Sequence, residues 1–333
     1  MRKLIVITLV LAGLWAGYWW VGASSAERAF VQWFDERGPD GWVAEYDDLK
    51  VRGFPNRFDT VITGLSLADP ETGLAWNAEE FQILALSYKP NHVIAVWPGV
   101  QRLSAPTQKI DITADDFKGS LVVAPHPDLP LDRATFVIEN MSLVSSIGWQ
   151  AHLDSGQLAT RLLDADSNLH EVYFEAKNLI PASEFVQSLG PDSVLPPVFD
   201  GVTVKANMGF SAPWDRFAIE HARPQPRHLD LTLLTAKWGE MDVKMGGTLE
   251  IDEAGIPTGE IAIKANNWRQ MIAVAETSGA IAPEFVSTLT GALQFVAGLS
   301  GGRESLDVTL GFSGGYVTLG PIPIGRAPVL KIR

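Results

Sequence analysis

The chain's 333 residues are 46% hydrophobic and only 20% charged, which excludes global disorder and supplies core for one large domain or two modest ones. A formal charge of −13 sets the body against phosphate backbones and anionic headgroups, so nucleic acid is not an expected partner. No cysteine is present, which removes disulfides, thiolate metal sites, cysteine nucleophiles and lipid attachment through an N-terminal cysteine.

Arg2 and Lys3 precede Leu4 to Val21, a run of eighteen residues without a charge. At 1.5 Å rise per residue this run covers about 27 Å, close to the hydrocarbon thickness of a bilayer. Trp15, Tyr18, Trp19 and Trp20 crowd its far end, where amphipathic rings favour the membrane–water interface. A cleaved signal peptide is the competing reading, with Ser24-Ser25-Ala26 as a weak cleavage site. The length of the apolar run and the bulky rings before that site favour an anchor, so residues 1–22 are expected to be a cytoplasmic tip and single-pass transmembrane helix. Arg2, Lys3 and the amino terminus lie on one side, and the mixed charges of Glu27 to Asp40 on the other. The positive-inside rule then leaves the N-terminus in the cytoplasm and exports the body.

Ser24 with Glu27 forms a capping-box pattern, and Ala26, Phe30, Trp33, Phe34 and Arg37 follow at helical spacing before Gly38-Pro39. The spacing predicts an amphipathic linker helix over 23–38 and a β-rich body over 39–333. In that body the apolar period becomes two. Val202, Val204, Ala206, Met208 and Phe210 alternate with polar or small residues, as do Met241, Val243, Met245, Leu249 and Ile251, with Gly247 interrupting. Shorter cases are Leu229/Leu231/Leu233 and Leu306/Val308/Leu310. Turn letters punctuate the strands at Asp69–Gly73, Asp252–Gly255 and Ser313–Gly315. Helices are expected at 182–189, at 267–278 behind an Asn267 cap, and at 282–297 with Pro283 in the first turn. The fold class is therefore mainly β (a β-rich α+β chain): long antiparallel strands forming a curved sheet or groove, with a few packing helices, after one transmembrane helix. A weak echo at an offset of about ninety residues relates Gly156-Gln157-Leu158 and Ala176–Leu179 to Gly247-Thr248-Leu249 and Ala265–Trp268. The echo does not establish a duplication, and the proline-rich stretch near 190–198 between its two parts is the candidate sub-boundary.

No chemical motif survives its context, so no catalysis is expected. Gly298–Gly302 fits the G-x-S-x-G pattern around Ser300, but a helix precedes the serine and every histidine lies before it, the reverse of a nucleophile elbow. Asp164-Ala165-Asp166-Ser167-Asn168 with Glu175 places oxygens at calcium-loop positions, yet Leu169 stands where the loop needs glycine. A polar hairpin turn accounts for the same letters. The His221–His228 segment, with Arg223, Arg227 and two prolines, reads as a stiffened surface loop. The histidines lack zinc spacing, and the neighbouring pairs Asp115-Asp116 and Glu79-Glu80 point to opposite faces of a strand. Neither a metal nor another cofactor is expected.

Four segments resemble an uncharacterised Gram-negative envelope family, domain of unknown function 2125. They are Val51-Arg52-Gly53-Phe54-Pro55-Asn56-Arg57-Phe58, His92–Pro98, Asn267-Trp268-Arg269 and Leu319–Gly325. The resemblance implies an anchored, exported protein of the bacterial inner membrane with its body in the periplasm, similar in general plan to larger envelope proteins that build apolar β-grooves; it brings no catalytic residues. Gly53 and Pro55 should bend a strand, and Gly320-Pro321-Ile322-Pro323 should run along a sheet edge.

The functional expectation is an anchored periplasmic protein that binds an apolar ligand such as lipid on a curved sheet, lined by Met208, Phe210, Met241, Val243 and Met245. The alternative is a structural or protein-interaction module of the envelope, with a protein partner and no ligand.

Overall fold

The computed structural model describes residues 1–39, 41–189, 195–220, 223–279, 281, 283–299 and 304–332. The chain is mainly β: among the described residues it forms eighteen strands and five helices, and the strands pair antiparallel. It divides into two compact units, residues 1–125 with 136–149 and residues 126–135 with 150–333. The stretch expected as a boundary falls inside the second unit, and residues 190–194 of it lie outside the described residues.

The first unit opens with α1 (Arg2–Arg37), one unbroken helix. The linker helix expected over 23–38 is the second half of this element and continues the apolar run without a break, as its spacing implied. Ser24 does not start a helix, because no proline interrupts the hydrogen-bond ladder before Pro39. Strands β1 (Val43–Glu45), β2 (Asp48–Arg52), β3 (Arg57–Asp69), β4 (Leu74–Leu86), β5 (Lys89–Val96), β6 (Gln101–Ala105), β7 (Gln108–Thr113), β8 (Asp116–Val123) and, from residue 136 on, β9 (Leu131–Ser145) follow. β3 takes β1 and β2 end to end on one side and β4 on the other. β4 in turn takes β5 and β6 end to end, and these pair with β8 and β7. Pro98, which has no N–H to give a ladder, sits in the gap between β5 and β6. Gly53 and Pro55 do more than bend a strand: residues 53–56 reverse the chain between β2 and β3, with Arg57 N donating to Gly53 O at 2.8 Å. The Asp69 turn is closed by Asp69 accepting from Glu71 N (3.0 Å) and Thr72 Oγ1 (2.7 Å), bonds that hold its carboxyl below the ordinary range.

The second unit is a meander: β10 (Gln150–Asp164), β11 (Leu169–Ile180), α2 (Ser183–Ser188), β12 (Phe199–Phe210), α3 (Phe217–Glu220), β13 (Pro226–Trp238), β14 (Met241–Ile251), β15 (Pro257–Asn266), α4 (Trp268–Thr277), α5 (Pro283–Leu299), β16 (Ser305–Ser313), β17 (Tyr316–Leu319) and β18 (Ile322–Arg326). Each strand pairs with the next. The expected helices and the strands at 202–210, 241–251 and 306–310 are all present. Gly247 adopts φ +153 within β14 without ending it. One assignment shifts. A bulge between Leu231 and Leu234 sets Leu234, not Leu233, opposite Val204 and Met245 on the apolar face. Asn267 is the N-cap residue of α4 as expected, but it sits at φ +57 and its side chain donates to Gln270 Oε1 (2.6 Å) instead of accepting from a backbone N–H. In the last hairpin Gly320 turns the chain at φ +57, and β18, carrying Pro323, pairs with β17.

Two clusters build this unit's core. Trp268, Leu289, Leu293, Ala297, Leu306 and Val308 join α4 and α5 to β15 and β16. Ala206, Leu231, Leu249 and Ile261 form the second, with Leu330 of the C-terminal segment packed on it. That segment is tied down by Leu330 N to Gly255 O (2.8 Å) and by Gln225, whose amide bonds both backbone groups of Ile332 at 3.0 Å.

Candidate apolar groove

In the first unit the C-terminal half of α1 packs on β1, β2 and β3, and β4 forms the wall beyond it. Ala26, Phe30, Trp33 and Phe34 recur at helical spacing, so they share one side of the helix. Phe34 is buried among Leu49, Ile62, Leu65 and Ala78, and its ring lies 4.7 Å from that of Tyr46. On the sheet side Ile62 faces Phe81, Leu65 faces Ala78, and Leu67 faces Trp76. Close approach of helix and sheet depends on Gly22, because a Cβ built there would lie 2.5 Å from Cζ of Phe58.

Between helix and strands the structure leaves a groove of about 440 Å³, within the ordinary range for small-molecule sites. Every residue lining it is apolar, with Phe30, Trp33, Leu67, Trp76, Phe81 and Ile83 supplying the larger walls. A second apolar hollow, about 470 Å³, begins at the shared residues Leu67 and Trp76 and continues past Trp42, Leu103 and Ile110. The polar atoms nearest the groove are satisfied locally. Trp76 Nε1 donates to Gln101 Oε1 (3.0 Å), and Gln101 Nε2 donates to Pro98 O (2.8 Å). Beyond it an aromatic row runs from Phe81 through Trp97 to Phe117, the last two stacked at 4.5 Å. The opposite side of the sheet is ionic: Arg102 clamps Asp111 through two bonds (2.6 and 2.9 Å), which raises the arginine pKa and lowers that of the aspartate. One side can hold hydrocarbon, and the other faces water.

The sequence reading did not find this groove. Its apolar positions run 62, 65, 67 on β3 and 76, 78, 81, 83 on β4, so the alternation slips midway along each strand. Gly64, at φ +63 in the middle of β3, was the available signal. The five residues expected as lining share the apolar face of the second unit but not one opening. Met208 and Met245 pack in the cluster around Leu231, Val243 against the cluster under α4 and α5, and Met241 is buried at the start of β14. Phe210 makes edge contacts with His170 (5.7 Å) and Trp214 (5.4 Å). The helices and the C-terminal segment cover much of that face, which the strand pattern alone does not reveal.

The remaining motifs fall as follows. Asp164 closes the β10–β11 turn by accepting from Ser167 Oγ (2.5 Å) and Asp166 N (3.3 Å), while Glu175 lies in β11 and pairs with Lys177 at 2.9 Å. Gly298 is in α5; Ser300 to Gly302 and His221 lie outside the described residues. The arginine–proline segment is only partly a surface loop, since Pro224 is fully buried and Pro226 to His228 begin β13. Asp116 pairs with Lys118, and Glu80 accepts from Gln82.

No curated protein and no solved structure matches the chain. A model of domain of unknown function 2125 matches residues 19–328, and the chain therefore belongs to that family of uncharacterized proteins conserved in bacteria.

Proposed function

We propose that this is a membrane-anchored periplasmic protein that holds a lipid acyl chain in the groove between α1 and the β3–β4 pair, without catalysis. The observation that carries the reading is the wholly apolar lining of a groove whose roof is the same helix that is long and apolar enough, in its first half, to cross a membrane. A helix that leaves the bilayer and then roofs a groove places that groove beside a reservoir of lipid. Each methylene taken into it contributes about 0.8 kcal/mol, so a long chain is held without any polar contact.

Photo-crosslinking tests the reading in cells. A benzophenone amino acid at Ile83 or Phe30 should form adducts with phospholipid, and one at Arg102 on the ionic face should not. Lipid-free protein at both groove positions would overturn it. The alternative, an envelope interaction module, draws on Leu158 and Phe174, cross-strand partners that stay 45% and 37% exposed on the second unit's apolar face. Protein adducts from Phe174, with none to lipid from Ile83, would favour that alternative.

A further inference from the structure

The rings at the end of the apolar run are tied to the β body. Trp15 Nε1 donates to Pro55 O (2.9 Å), Tyr18 Oη to Ser87 O (2.6 Å) and Trp19 Nε1 to Arg57 O (2.7 Å). The 53–57 turn and the β4–β5 turn therefore lie alongside the last seven residues of the Leu4–Val21 run, about 10 Å of helix. Because Trp15, Tyr18 and Trp19 mark the interfacial end of the run, the turns bonded to them sit at the depth of the interface, not above it. Their side chains suit that depth. Phe54 is 58% exposed beside Trp19 (ring centroids 5.4 Å apart), and Tyr88 is 61% exposed. Arg52 and Lys89 flank them, both exposed. Residues 49–58 and 84–93 contain no Asp or Glu, although the chain as a whole carries −13.

We infer that the turns at 53–57 and 87–89 form a membrane-docking surface, with Phe54 and Tyr88 inserted at the headgroup–acyl boundary and Arg52 and Lys89 reaching lipid phosphates. The inference rests on α1 being a membrane span. Interfacial aromatics and snorkelling cations are the side chains expected at such a boundary. The docking fixes the tilt and height of the body, which an anchor at a single point does not.

The cysteine-free chain allows single environment-sensitive labels on the full-length protein. Phe54→Cys, Tyr88→Cys, Leu11→Cys and Glu71→Cys are reconstituted in vesicles of phosphatidylethanolamine and phosphatidylglycerol that carry nitroxide lipids of shallow or deep placement. Glu71 is the aqueous control, at the far end of β3, about 40 Å along the strand from Arg57. Labels at 54 and 88 should shift to the blue and lose most of their emission to shallow nitroxides. The label at 11 should respond to deep ones, and that at 71 to neither. Emission at 54 or 88 indistinguishable from 71, with 11 still quenched, overturns the docking and leaves the anchor standing. An unquenched label at 11 overturns the anchor, and the docking with it.

Discussion

The two units face the same problem, one apolar sheet face each, and cover it differently. In the second, α4 and α5 seal one end and the C-terminal segment packs over Leu249 and Ile261, so Trp268 and Leu293 are 2% and 4% exposed. In the first, a single helix packs on β1, β2 and β3 and leaves β4 uncovered, and Trp33 remains 41% exposed beside an open groove. Two packed helices can close the space over a sheet by interdigitating with each other, whereas one helix leaves a furrow along its flank. The number of covering elements, more than the hydrophobicity of the strands, separates a core from a site.

The largest expected effect comes from the same substitution made in both places. Trp268→Ala should cost about 3–5 kcal/mol, the usual loss for a buried tryptophan. Among the described residues its buried indole N–H has no hydrogen-bond partner, and apolar packing and the Arg269 guanidinium 4.5 Å from the ring hold it. Trp33→Ala should cost less than half as much, since much of that ring already meets the groove or solvent. Thermal and denaturant unfolding of the full chain, followed by circular dichroism, measures both. Equal losses would mean that the first unit's face is packed as a core and that the groove is not open.

A smaller effect should follow from lifting the roof. Gly22→Leu drives a side chain into the Phe58 ring, which Trp19 and Tyr18 already flank at 6.2 and 6.4 Å. Overpacking of this kind costs about 1–3 kcal/mol. Hydrogen exchange should quicken over residues 22–37 and stay unchanged in α4 and α5. Unchanged exchange in α1 would show that Phe58 swings aside and the helix remains docked.

The second unit was largely legible in the sequence, and the first was not, for the same physical reason. Val202 to Phe210 and Met241 to Ile251 keep their apolar residues two apart, broken only at Gly247, because the bulges at this place fall in the neighbouring β13. β3 and β4 lose it where Gly64 and the Glu79-Glu80 pair interrupt the pleat, so the strands that floor the groove carried the weakest pattern. Pattern also says nothing about what lies on a face. Met245 reads the same whether ligand or Leu330 covers it. The internal echo gains a structural counterpart: Asn178, near the end of β11, and Asn267, just before α4, stand at matching places in it and both adopt left-handed φ (51° and 57°).

His170 offers a modest test of how tightly the second unit is closed. Its ring is buried on the apolar face, with Thr160 Oγ1 3.5 Å from Nδ1, and burial lowers its pKa. The folded state favours the neutral ring, while the unfolded chain takes up the proton near pH 6.5. Stability from this group is therefore complete above about pH 6.5 and is lost as pH falls toward the lower folded value. The melting temperature of wild type should drop more between pH 7 and pH 5 than that of His170→Leu. Parallel pH profiles would mean that water reaches the ring.

The smallest expected effect on folding is the most informative about the groove. Ala29 lies on α1 at the groove wall and is exposed, so Ala29→Phe adds a ring where there is free space instead of displacing packed atoms. Its stability cost should stay within about 0.5 kcal/mol, as for surface substitutions that touch no packed feature. The ring would occupy part of the 440 Å³ that a chain is proposed to fill. Crosslinking of phospholipid from Ile83 should then fall sharply while unfolding curves overlay those of wild type. An apolar substitution serves better here than a charged one, because a carboxylate in the groove changes hydration and packing together, whereas phenylalanine changes only the space. If lipid adducts persist at the wild-type level, the chain lies elsewhere on the face, and the adjoining hollow bounded by Leu103 and Ile110 becomes the place to fill next.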